Sequence, residues 1–155
     1  MRSYNEPKVN VRTMDEWDFL PVCREVLAVG GSLPLRVTGV SMRPFLQEGR
    51  DTVLLMPVDV VRRGDVVLFT RPGGKLVLHR VIRVRKDRLY VAGDNQVDLE
   101  TVPREAVLAV AQRVLRGPKT LTPGSVEWIF FKTVWRWLRP VRPVLWRVWS
   151  LLKGK

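Results

Sequence analysis

Ser41 and His79 are the residues whose types and settings suggest bond-breaking chemistry in this chain. Ser41 lies in Gly39-Val40-Ser41-Met42-Arg43-Pro44, a turn-like stretch after an extended apolar segment. His79, the single histidine, follows 38 positions later in a second extended segment. A serine hydroxyl becomes a useful nucleophile only when a base takes its proton, so the pair suggests a hydrolase dyad. Gly39 removes side-chain bulk ahead of the serine. Pro44 restricts Arg43 to extended backbone. Together they could leave a backbone N–H free to bind an oxyanion. A catalytic histidine also needs its ring held in one tautomer, often by a carboxylate on its other nitrogen. Gly93-Asp94-Asn95 offers Asp94, with Asp98 and Glu100 close behind. Each feature has an ordinary reading too: Ser41 as a turn cap, His79 as a strand residue beside an arginine, Gly-Asp-Asn as a tight turn.

The elements that must position these groups follow from periodicity and punctuation. Residues 1–13 read as a loose arm. Residues 14–29 read as an amphipathic helix, with Asp15, Glu16 and Asp18 in the first turn where the helix dipole favours anions. Pro21 is expected to bend or restart it, and Gly30-Gly31 ends it. From 33 to 116 the pattern is β-like, in segments 33–40, 51–58, 64–70 and 75–84 with turn residues between them. The 75–84 segment alternates cleanly: Val77, His79 and Val81 share one face, and Leu78, Arg80 and Ile82 the other. Residues 88–95 form another extended run, and 102–116 fits either a strand or a short helix. The fold class is mainly β. Residues 117–124, rich in Gly, Pro and Thr, read as a linker. Ser125 is a candidate N-cap for the tail beyond it, which Pro140 and Pro143 divide into two short helical pieces. The chain thus parses as 1–32, 33–116 and 117–155.

Taken in order, these boxes resemble those of the LexA/signal-peptidase superfamily of serine peptidases. Ser41-Met42-Arg43-Pro44 looks like the nucleophile box, and Gly64-Asp65-Val66-Val67 like the structural glycine-aspartate strand. Leu78-His79-Arg80-Val81 looks like the general-base box, and Gly93-Asp94-Asn95 like the acidic box. LexA-type proteins and most bacterial signal peptidases use a lysine as base. A histidine at this position makes the resemblance one to the archaeal and endoplasmic-reticulum signal peptidases. It implies a compact LexA/signal-peptidase-like β domain and a cofactor-free serine endopeptidase that cuts an extended peptide. That peptide would pair beside the strands flanking Ser41 and His79, with small side chains next to the cut and Met42 and Pro44 against it. Ser41 would attack the carbonyl. His79 would accept the proton and pass it to the leaving amine. Asp94 would orient His79, with Asp98 and Glu100 as alternatives for the third member. Phe45 departs from the family's common threonine. No membrane-spanning helix precedes the serine box, and residues 1–32 show neither a helix-turn-helix domain nor a self-cleavage site. The alternative is a catalytically inactive, membrane-associated peptide-binding module of the same fold.

Charge sets the partners. The 155 residues carry 27 Lys and Arg against 15 Asp and Glu, a net +12, which implies an anionic partner or surface. Residues 117–155 hold 8 of those cations and 1 acid. Five of the 6 tryptophans lie there: Trp128, Trp135, Trp137, Trp146 and Trp149. Tryptophan favours the water–lipid boundary and Lys and Arg favour anionic headgroups, so the tail reads as an interfacial anchor. Packing on the domain and nucleic-acid stacking are the competing readings, and no module specific to nucleic acid is visible. Without a signal peptide or an apolar run of about 18 residues, the expected location is cytoplasmic and peripheral to a membrane. Cys23 is alone and reads as a buried small hydrophobe. One histidine and one cysteine make a poor metal site, and no phosphate-binding loop occurs.

Overall fold

The computed structural model describes residues 16–57, 59–144, 147 and 148. Helix α1 (Glu16–Ala28) runs through Pro21 without a break. An interior proline removes one helical N–H, and here the burial of Cys23 and Leu27 against the core offsets that loss. The helix closes at Gly30 and Gly31, whose N–H groups return to the Leu27 and Val26 carbonyls.

Eight strands follow: β1 (Leu33–Arg36), β2 (Asp51–Met56), β3 (Val66–Thr70), β4 (Leu76–Val84), β5 (Arg88–Ala92), β6 (Glu100–Pro103), β7 (Val107–Arg116) and β8 (Lys119–Leu121). They form one curled sheet in the order β1-β2-β7-β3-β4-β5-β6, with β8 also on β7. Each pairing is antiparallel. The mainly β class expected from the alternation is the class observed. The ambiguous 102–116 stretch resolves into the end of β6, a 3-10 turn and β7. Strand β7 is central, pairing with β2, β3 and β8; residues 109–111 are buried in succession, as on a strand covered on both faces, and a bulge against β2 breaks the alternation beyond them. That is why its period was mute. Residues 119–121 of the expected linker turn back on β7 through a two-residue hairpin at Gly117-Pro118.

Two apolar clusters line the two faces of the sheet. One joins α1, the 37–46 segment and the start of the tail. The other joins inward residues of β3, β4, β5, β6 and β7. The tail opens with α2 (Val126–Phe130) and continues as a π-helical stretch, Phe131–Trp135. Ser125 stands at its N-cap, but the hydroxyl accepts from Thr122 N–H in the preceding turn. Trp128 is 2% exposed and meets the Phe45 ring edge-on at 5.4 Å. Trp128 and Trp135, expected at a lipid boundary, therefore face protein, because the first cluster needs them to close over Phe45 and Phe131. Trp137 is exposed. Trp146 and Trp149 lie outside the described residues. Among the described residues no helix is long and apolar enough to cross a membrane.

Candidate active site

Ser41 is half-buried in a run of turns that follows β1. Met42, Phe45 and Leu46 root this run in the core. Met42, expected beside the substrate, is instead a core side chain, 4% exposed. The Phe45 carbonyl accepts from Arg50 Nη2 at 3.2 Å and Arg116 Nη2 at 2.8 Å. The Ser41 carbonyl accepts from the Asn95 N–H at 2.8 Å. Gly93 lies so close that a Cβ there would collide with that same carbonyl oxygen, so glycine is required for the approach. The serine motif and the Gly-Asp-Asn motif are thus in main-chain contact. Beside them opens a cleft of about 420 Å³ lined by Val40, Arg43, Pro44, Gln47 and Asn95.

Alternation along β4 sends Arg80 and His79 to opposite faces. Arg80 is 0% exposed. Its Nε and Nη2 donate to the two Asp94 carboxylate oxygens, each at 2.7 Å. Its Nη1 donates to the Gly64 carbonyl at 3.0 Å, and its guanidinium sits 4.9 Å from the Phe45 ring centroid. Asp94 is therefore the partner of Arg80 and does not orient His79. The register explains this: Arg80 pairs with Ala92, two residues before Asp94, so both side chains fall on one face. Gly64 has φ +90°, and the Lys132 stem occupies the space its Cβ would need.

His79 lies opposite Val67 on β3, 3% exposed, its ring 6.0 Å from that of Phe69. The carboxylate it faces belongs to Glu100, 3.7 Å from Nδ1. Glu100 is held in turn by Arg71, which donates to both oxygens at 2.7 Å. That pairing keeps the Glu100 carboxyl below its ordinary range. His79 Nδ1 is buried without a hydrogen-bond partner among the described residues, and no hydrogen bond joins the ring to the Ser41 hydroxyl. Asp98 is exposed on the loop before β6. Burial pulls the imidazole down to about 4, against the raising influence of Glu100 and Asp94 and with Arg71 adding to the fall.

This depression has a measurable consequence. The unfolded chain takes the proton near pH 6.5 and the folded chain only near pH 4. Below 6.5 the unfolded state binds more protons, so stability falls with pH across that window. The loss amounts to about 3 kcal/mol by pH 4. Urea unfolding from pH 7 to 4 should show it, and His79→Gln should flatten the profile. An equal slope in both proteins would show that His79 titrates normally.

Arg80 and Arg142 escaped the sequence reading as site residues, and Trp135, expected at a membrane interface, instead donates to the Asp94 carbonyl. Only Arg80 carried a signal, its adjacency to His79 on an alternating strand. Among the described residues no group of three or more His, Cys, Asp or Glu could hold a metal ion.

A family model described as Peptidase S24-like matches residues 6–113. No curated protein matches the chain. The match overturns the expected kinship with histidine-base signal peptidases, because peptidases of the matched family pair their serine with a lysine. It overturns the Ser41–His79 dyad with it, and the absence of a hydrogen bond between the buried imidazole and the serine agrees. Of the described lysines, Lys132 has its ammonium 3.6 Å from Asp65 and Lys119 lies 3.4 Å from Glu127. Lys75 and Lys86 are exposed in the β3–β4 and β4–β5 turns.

Proposed function

The chain belongs to the Peptidase S24-like family of serine peptidases, and from that premise we propose that Ser41 is the nucleophile of an endopeptidase acting on an extended peptide. The observation that carries the reading is the Ser41 turn itself. It lies within the matched residues, half-exposed beside the Val40–Asn95 cleft, with its carbonyl fixed by Asn95. A nucleophile held on a rooted main chain loses little entropy on reaching the carbonyl it attacks. Strand β1 leads into this turn and is an edge of the sheet. Its outer edge pairs with no strand among the described residues and suits an added peptide strand, and Pro34 is compatible with an edge position.

Reaction with a serine-directed fluorophosphonate tests the nucleophile. The adduct should map to the peptide containing Ser41 and vanish in Ser41→Ala. A parent protein that never labels there sinks the peptidase reading and leaves a peptide-binding module. The same reaction identifies the base. Run on Lys75→Met, Lys86→Met, Lys119→Met and Lys132→Met, loss in one variant assigns it. Full labelling in all four places the base outside these lysines.

A second reading concerns the tail. Val126, Phe130, Val134, Trp137, Val141 and Val144 are exposed large apolar residues at spacings of 3 and 4 along a strongly basic segment. Such a stripe beside cations suits the surface of an anionic bilayer. Flotation with vesicles containing anionic lipid tests it. Trp137→Ser together with Val141→Ser should reduce binding, and equal flotation of parent and variant would remove the idea.

A further inference from the structure

Residues beyond 113 lie outside the family match, yet they reach the serine site. Trp135 Nε1 donates to the Asp94 carbonyl at 2.9 Å. Arg142 Nη1 donates to that same oxygen at 2.6 Å. Arg142 Nη2 donates to the Trp135 carbonyl, and its guanidinium lies 4.5 Å from the Trp135 ring centroid. Arg139 Nε adds a bond to the Val97 carbonyl at 2.8 Å. The loop so gripped is the one whose Asn95 N–H holds the Ser41 carbonyl.

Arg142 is 3% exposed. A buried guanidinium is costly unless its N–H groups find acceptors; Nη1 and Nη2 find them in the Asp94 and Trp135 carbonyls, while Nε has none among the described residues. A tail that merely covered apolar surface would have no need to bury one. Burial lowers its pKa to about 10, with Asp94 opposing the fall, so it stays charged at neutral pH. Two donors on one carbonyl use both of its lone pairs and fix it in two directions. The Asp94 side chain is fixed independently by Arg80. The residue is thereby held at both its carboxylate and its carbonyl.

We propose that Arg142 and Trp135 are positioning residues for Ser41: they clasp the 93–97 loop through the Asp94 carbonyl, and the loop sets the place of the serine main chain. The inference rests on Ser41 being the nucleophile. Misplacing a reactive group by about 1 Å costs up to about a hundredfold in rate. A clasp outside the family-matched residues can therefore govern a family serine.

The test uses the full chain in four forms: parent, Arg142→Ala, Arg142→Lys and Trp135→Phe. Two readouts are taken below the thermal transition. One is the rate of fluorophosphonate labelling at Ser41 per folded molecule. The other is hydrogen exchange of the Asn95 amide. Arg142→Ala and Trp135→Phe should slow labelling about tenfold or more and speed Asn95 exchange, with Arg142→Lys retaining more than the alanine variant. A tail that only adds stability would lower the melting temperature and leave both readouts at parental values, and that result overturns the proposal. Trp135→Phe keeps an aromatic face toward Arg142 and Phe131 while removing the N–H donor together with part of the indole, so it serves if Arg142→Ala does not fold. Should the parent itself not label at Ser41, the peptidase reading fails. Asn95 exchange then decides the clasp alone: faster exchange upholds it and unchanged exchange removes it.

Discussion

Arg80→Ala should destabilise the fold by about 3–5 kcal/mol, the usual loss when one partner of a buried ion pair is removed. Three things go at once: a bidentate grip on Asp94, a donor to the Gly64 carbonyl and a cation over the Phe45 ring. Asp94, 3% exposed, would be left without its bidentate cation in a site that water barely reaches. For a chain of this length, such a loss lowers the melting temperature by roughly 10 °C or more. The pair as a whole is a different matter. Well-packed apolar residues often replace a buried pair with little change. Arg80→Met combined with Asp94→Leu should therefore melt above Arg80→Ala alone. Calorimetry on the three proteins checks the order. A melting temperature for Arg80→Ala within about 2 °C of the parent would mean that water or another cation already serves Asp94.

Ser41→Ala should lower peptide cleavage by about three to six orders of magnitude, the range seen when a serine nucleophile is removed. Stability should change by no more than about 0.5 kcal/mol. The side chain is half-exposed, and the structural bond at this position is made by the main-chain carbonyl, which alanine keeps. The contrast with Arg80→Ala is itself informative. One variant should lose chemistry and keep the fold. The other should lose the fold first. Cleavage surviving in Ser41→Ala at the parental rate would assign the activity to another residue or a contaminant. The His79 profile adds a third axis. Acid weakening between pH 6.5 and 4 follows from the burial of one imidazole and needs no part in the reaction.

The chain's local chemistry determined its architecture. Alternation in 75–84, the Val- and Leu-rich runs between turns and the Gly-Gly stop after the first helix are each short-range features. Side-chain period and backbone freedom act over a few residues, so the mainly β class with a helix before it and a helical tail could be read without any long-range contact. The boxes around Ser41, His79 and Asp94 were visible for the same reason. Pairing was another matter. Asp94 was assigned to His79 from order along the chain, and the register of β4 on β5 gives it to Arg80 while β6 brings Glu100 to the histidine. The tail's cations and tryptophans read as lipid-seeking, yet Trp128, Trp135 and Arg142 turn inward to close a core and hold a loop. Composition says what a side chain tolerates. Which carboxylate, ring or carbonyl it meets depends on strands and segments tens of residues apart arriving at one place, and only the folded chain decides that.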